Sequence, residues 1–150
     1  MRIGIGNDHA AVAFKNALKE YLESKGHEVI DYGSVDPSAK DDYPDFGQAV
    51  GEAVANGVVD KGVTICGTGI GIAMAANKVP GVRAAMCSEP VSAALTVRHN
   101  NANIISIGER IVGIEMAKAI LDAFLSAEFE GGRHTARIEK ITAIEKKYSK

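Results

Sequence analysis

No stretch of this sequence approaches the roughly 18 uninterrupted apolar residues of a membrane-spanning helix. The amino terminus, MRIGIGNDHA, runs straight into a strand-like pattern and Asp8 without the apolar segment of a secretory signal, so neither membrane insertion nor secretion is expected. Cysteine is scarce. Cys66 and Cys87 fit neither paired metal-ligand spacing nor a disulfide scaffold, and their small number points to a reducing, cytoplasmic compartment. Charge of one sign is also lacking: a formal net charge of -2 provides no footprint for nucleic acid, so any anion must be held by a few placed cations. The expected partner is a small molecule. No repeat, low-complexity tract or linker divides the 150 residues, and 46% hydrophobic with 24% charged residues suits one domain, residues 1–150, with a real core.

Short apolar runs of β type alternate with helical patterns. Arg2–Gly6, Glu28–Tyr32, Gly62–Cys66, Val82–Cys87 and Asn103–Ile107 read as five strands. The first helix carries Phe14, Leu18, Tyr21 and Leu22 on one face and stops at Lys25-Gly26. A second begins near Pro44 and stops at Asn56-Gly57. Before it, the carboxylates of Asp41, Asp42 and Asp45 suit turns and caps, and no metal site is expected among them. A third helix opens inside the glycine loop that follows Cys66, a fourth runs from Pro90 to about His99, a fifth from Ile111 to Leu125 and a last from about Thr135 to Lys147. Such alternation predicts an α/β fold: a three-layer αβα sandwich around a Rossmann-like, doubly wound, five-stranded parallel sheet, with an expected strand order of 2-1-3-4-5. Ligands of these sheets bind beyond the carboxyl ends of the strands where the order reverses, here between strands 1 and 3.

The two most unusual loops fall at that address. Strand 1 ends in Gly6-Asn7-Asp8-His9, and strand 3 in Cys66-Gly67-Thr68-Gly69-Ile70-Gly71. Three familiar readings of the glycine run fail. A dinucleotide fingerprint needs glycine at Ile72, a phosphate loop needs Gly-Lys-Ser/Thr, and a phosphatase of Cys-x5-Arg type needs arginine at Ile72. What remains is a thiol, a hydroxyl and a row of backbone N–H groups suited to a phosphate or a developing oxyanion. Cys66 is either a thiolate base or nucleophile favoured by the adjacent helix start, or a buried structural cysteine; Cys87 reads as core. Asp8-His9 pairs a carboxylate with an imidazole for proton transfer, or Asp8 is only a helix cap. His99-Asn100 closes a helix, where a cation is at home without any catalytic duty. Arg133 and Arg137, one turn apart and flanking His134, either fork onto one phosphate or form a solvated face.

Taken together, these segments resemble the family of type B ribose-5-phosphate isomerases, which also holds galactose-6-phosphate and allose-6-phosphate isomerases. The similarity runs from Ile3 nearly to the carboxyl terminus. Its most specific pieces are Asp42-Tyr43-Pro44, Ile65 through Ile72, Ala75-Ala76-Asn77-Lys78, Cys87-Ser88-Glu89-Pro90, His99-Asn100 and Gly131-Gly132-Arg133-His134. The resemblance implies interconversion of D-ribose 5-phosphate and D-ribulose 5-phosphate through an enediolate, within the pentose phosphate pathway and without cofactor. It casts Cys66 as the base at the second sugar carbon, the N–H groups of Gly67, Thr68, Gly69, Ile70 and Gly71 as the enediolate hole, and Thr68 as a proton relay. His99 with Asp8 would open the furanose ring. His9, Arg110, Arg133 and Arg137 would hold the phosphate, Asn100 would touch the sugar, and Tyr43 and His134 would line the pocket.

His99 lies a helix length away from the strand ends, so within one subunit it should be far from Cys66. The resemblance answers this with a homodimer, in some members a tetramer, in which His99, Asn100 and Arg110 cross into the neighbour's site. In one branch of the family a glutamate just after the glycines is the base; here that position is Ile72 and Cys66 is present, so the cysteine mechanism is assigned. Asn101 stands where many relatives carry aspartate. Rival readings are an allose-6-phosphate or galactose-6-phosphate isomerase, a non-catalytic sugar-phosphate or nucleotide-binding module and, more remotely, a thiol hydrolase using Cys66 and His99.

Overall fold

The computed structural model describes residues 1–150. Five strands, β1 (Arg2–Asn7), β2 (Glu28–Asp31), β3 (Lys61–Cys66), β4 (Ala84–Met86) and β5 (Ile104–Gly108), form one all-parallel sheet. Six helices connect and flank them: α1 (Val12–Ser24), α2 (Tyr43–Ala55), α3 (Ile70–Ala76), α4 (Pro90–Asn100), α5 (Ile114–Ser126) and α6 (Arg133–Tyr148). The expected α/β architecture is present. A single turn of tighter helix, His9–Ala11, leads into α1.

The strand order is β2-β1-β3-β5-β4, which corrects the expected 2-1-3-4-5. Every residue of Ile104–Gly108 is buried, as a strand covered on both faces must be, whereas β4 is three residues long and leaves Met86 exposed. The longer apolar run therefore takes the interior place and the short one the edge. The reversal beside β1 survives this exchange, because β2 and β3 still flank β1. The swap also sets Gly108 directly against Cys66, so the chain leaving β5 passes the glycine loop.

The larger core cluster joins Ile3, Ile5, Val63, Ile65, Ile105 and Ile107 of the sheet to Leu18 and Leu22 of α1, Val97 of α4 and Ile120, Leu121 and Phe124 of α5. Each such side chain, fully buried, contributes about 1.5–3 kcal/mol. On the other face the sheet carries glycines under α2. A Cβ at Gly6 would lie 2.7 Å from Val50, and one at Gly62 would lie 2.6 Å from it. The missing side chains let α2 sit close, which brings its first residue, Tyr43, over the start of α3. Cys87 is buried in the larger cluster, as expected, and burial pushes its thiol up to about 11. Helix α5 starts at Ile114 rather than Ile111, because the N–H groups of Ile111 and Val112 bond back to Gly108 and hold a turn. Helix α6 starts two residues earlier than expected, at Arg133. No helix is long and apolar enough to cross a membrane.

Candidate active site

Adjacent strands β1 and β3 end together, with Asn7 opposite Ile65, so Asp8-His9 and the loop after Cys66 share one crevice. The loop's shape follows from close packing. Gly69 has φ +78°, and a Cβ there would lie 2.8 Å from the backbone of Ile107; a Cβ on Gly108 would lie 2.5 Å from Thr68. Two glycines thus let the loop cross the end of β5 at backbone contact. In this conformation the Gly69 N–H donates to Cys66 Sγ at 3.2 Å. Cys66 is buried, with 5% of the residue exposed.

The row of N–H groups is only partly available to a ligand. The Gly69 N–H serves the sulfur and the Ile70 N–H donates to Thr68 Oγ1 at 3.2 Å. Thr68 is itself exposed at the mouth. Tyr43 packs over Gly71, where a Cβ would come within 2.5 Å of its ring. Arg110 is bonded through its N–H to the Gly67 carbonyl and extends its side chain along Gly67, with the guanidinium largely in solvent. It therefore stands beside its own chain's Cys66, apart from His99 and Asn100.

Asp8 is nearly buried, and its Oδ1 accepts from the N–H of Ala10, capping the tight turn before α1. His9 is oriented by a residue that sequence reasoning left to turns and caps. Asp41 Oδ1 accepts from the His9 N–H at 2.8 Å and lies 2.9 Å from its Nδ1. This hydrogen bond raises the histidine above its ordinary range and so favours the cation suited to a phosphate. Burial alone would push Asp41 up, but its bonds to Ser34 and His9 outweigh that and hold it below the usual carboxylate range. Asp42 precedes α2 without making a side-chain cap bond, and Asp45 lies in the helix's first turn.

Beneath His9 lies a second arrangement that the sequence reading missed. Lys15 is fully buried, with Nζ 2.7 Å from Asp31 Oδ2 and 3.2 Å from the Ser34 carbonyl. That carbonyl also accepts from Asn7 Nδ2, which donates as well to the Asp8 carbonyl. The Asp8 corner is thus tied to a buried ion pair. Asn7 Oδ1 is left buried without a partner, an imbalance of a kind that gathers at functional sites.

The remaining expected site residues form a separate group. Helix α4 runs back against the strands, so His99 and Asn100 lie toward the starts of β3 and β5, where Gly62 pairs Ile104, and not toward Cys66 at their ends. The helix stops at Asn101, which adopts φ +50°, a conformation asparagine tolerates and other side chains resist. The His99 ring stacks on that of His134 with centroids 4.4 Å apart and planes 12° from parallel. Both Nε2 atoms approach Glu130 Oε1, at 3.8 Å from His99 and 3.5 Å from His134. Arg133 and Arg137 are exposed on the first turns of α6 beside them. Two histidines and a glutamate this close could suggest a metal centre. However, in-plane lone pairs of nearly parallel, stacked rings do not meet at one point, so this geometry does not fit one ion.

A thiol, a carboxylate and an imidazole gathered beyond the strand ends of a doubly wound sheet are the arrangement of an enzyme site for a small substrate. The chain belongs to the Ribose/Galactose Isomerase family, whose model matches residues 3–141. It is 49% identical over 146 residues to ribose-5-phosphate isomerase B of Escherichia coli, covering 97% of both chains, and like that relative it is an isomerase. It is also 44% identical to a D-erythrulose-4-phosphate isomerase of Pectobacterium atrosepticum, covering 94% of this chain and 93% of the relative. Among solved structures it superposes on ribose-5-phosphate isomerase B of Clostridium thermocellum with a TM-score of 0.97 at 52% identity, covering 99% of this chain and all of the other.

Proposed function

We propose that the protein interconverts D-ribose 5-phosphate and D-ribulose 5-phosphate in the cytoplasm, without cofactor, in a homodimer whose two sites are each built from both subunits. The observation that carries this reading is the Gly69 N–H on Cys66 Sγ, at the crevice shared with Asp8-His9. His99 and Asp8 move a proton from the anomeric hydroxyl to the ring oxygen, which frees the aldehyde that makes the neighbouring C–H acidic. Cys66 takes the proton from the second carbon and returns it to the first. Thr68 carries the hydroxyl proton from the second oxygen to the first, so the ketose forms with no net gain or loss. General acid–base catalysis of this kind contributes about 10²–10⁴-fold, and N–H groups facing the enediolate oxygen add to it.

What supports the dimer is that the two groups lie toward opposite ends of the sheet. A two-fold axis would bring the His99, Asn100, Arg133, His134 and Arg137 of one copy to the Cys66 crevice of the other, twice over. Arg133 and Arg137, with His9 and Arg110, then hold the phosphate, Asn100 contacts the sugar, and Tyr43 with His134 closes the pocket. The test is incubation with ribose 5-phosphate in chelated buffer. Ketopentose phosphate should accumulate, and its absence at high enzyme concentration would sink the reading.

A second reading, favoured by the name of the Pectobacterium relative and by the family description, keeps the chemistry and changes the sugar. Specificity constants for ribose, allose, galactose and erythrose phosphates separate the two, because pocket length and not mechanism distinguishes these substrates.

A further inference from the structure

Glu130 lies between α5 and α6, outside every motif that marked the site. Its own N–H donates to the Arg98 carbonyl at 3.0 Å, which fastens it to the last turn of α4. Its carboxylate is the one carboxylate within ion-pair distance of either stacked imidazole. The charged and titratable groups around the stack are Arg98 and His99 from α4, Glu130 from the connection, and Arg133, His134 and Arg137 from α6. Glu130 is the sole anion among them.

Two imidazoles stacked at 4.4 Å do not both carry a proton without strong repulsion. Burial, with help from His99 and Arg133, holds His134 below the ordinary histidine range, against the pull of Glu130. His134 is the buried member of the pair. His99, with over a third of its side chain exposed, is the member of the pair open to a substrate. Removing the carboxylate would leave five cationic or protonatable groups with no countercharge at the place where an acid must be held.

We infer that Glu130 is a positioning residue for ring opening, holding His99 and its stacked neighbour His134 as one proton-donating pair. The inference rests on the proposed role of His99 in opening the furanose. Ring opening and enolisation can be measured apart, because ribulose 5-phosphate has its fifth oxygen esterified and exists in open-chain form. Exchange of its C1 protons with deuterated solvent then needs Cys66 and the enediolate hole but no ring opening.

The experiment compares native protein, Glu130→Gln, Glu130→Asp and His99→Ala in two assays: turnover of ribose 5-phosphate, and C1 proton exchange of ribulose 5-phosphate followed by NMR. Glu130→Gln should lower aldose turnover roughly fivefold, the weight of one half-exposed ion pair, with exchange unchanged and partial rescue in Glu130→Asp. If His99→Ala shows that separation and Glu130→Gln matches native protein in both assays, the inference falls and the role of His99 stands. Equal loss of both activities in Glu130→Gln means a merely structural carboxylate and also overturns it. If His99→Ala keeps full aldose turnover, the role of His99 fails and takes the inference with it.

Discussion

The strand-end group and the helix-end group are built by different means. Around Cys66 the geometry comes from backbone: parallel strands in register, a loop crossing β5 at Gly69 and Gly108, and an N–H on sulfur. Around His99 it comes from side chains on the ends of α4 and α6, stacked on one another and bridged by a single carboxylate. A backbone-built group is complete as soon as the sheet forms. A group built on helix ends, with its arginines in solvent, has its donors in place and nothing in its own chain to act on.

That contrast predicts its own largest test. Cys66→Ala and His99→Ala should each abolish most turnover of ribose 5-phosphate, the former by about 10²–10⁴-fold with substrate binding retained. If each site draws on both subunits, co-refolding the two inactive variants creates mixed dimers holding one intact site. Random pairing then restores about a quarter of native activity, since half the dimers are mixed and each has one working site of two. Recovery measured against each variant refolded alone decides the matter, and none at all would show that no site is assembled from both subunits.

Gly69→Ala attacks the backbone-built group directly. A side chain at φ +78° costs about 1–2 kcal/mol, and contact with the Ile107 backbone adds to it. The loop must shift, withdrawing its N–H from sulfur. Thermal unfolding should show a loss of roughly 2 kcal/mol or more, together with a fall in C1 proton exchange. An alanine variant that exchanges at the native rate would mean the donor on sulfur is dispensable.

How much of this could be read from the sequence differs in the same way. Strands and helices were legible because apolar runs and stops such as Lys25-Gly26 are local signals. The crevice was legible because its location depends only on β2 and β3 flanking β1. The order of the last two strands was not, since a right-handed crossover is satisfied on either side; the signal that could have settled it is the longer apolar run of β5. Asp41 was left among the turn carboxylates because its partner His9 is 32 residues away. Lys15 had a signal: it falls on the stripe with Leu18 and Leu22, where a cation is out of place unless an acid such as Asp31 meets it. The place of Arg110 beside Gly67 is not legible in the sequence, because the turn that carries it there exists only once β5 lies beside β3.

Lys15→Met asks whether the buried pair belongs to the strand-end group. The variant keeps the volume and leaves Asp31 and the Ser34 carbonyl without their cation, a loss of about 1–3 kcal/mol in urea unfolding. Because Ser34 and Asn7 connect the pair to Asp8, the Michaelis constant should rise as well, at temperatures where the variant is fully folded. A stability loss with unchanged kinetics would confine Lys15 to the core.

The smallest effect separates orientation from charge at His9. Its hydrogen bond to Asp41 favours imidazolium, so the native protein keeps this cation at pH values where an ordinary histidine, near 6.5, has lost it. The linked stability has the same sign: it is fully present below about pH 6.5 and is lost as pH rises through the raised value of the folded state. Asp41→Asn removes the charge while retaining an acceptor for the His9 N–H. Phosphate affinity should fall a few-fold near neutral pH and return to native at pH 5.5, where an ordinary histidine is protonated anyway. The Michaelis constant measured across that interval reads the effect. If the deficit is equal at both pH values, Asp41 orients the ring and its charge does not matter; if it vanishes in acid, the carboxylate acts by keeping His9 charged.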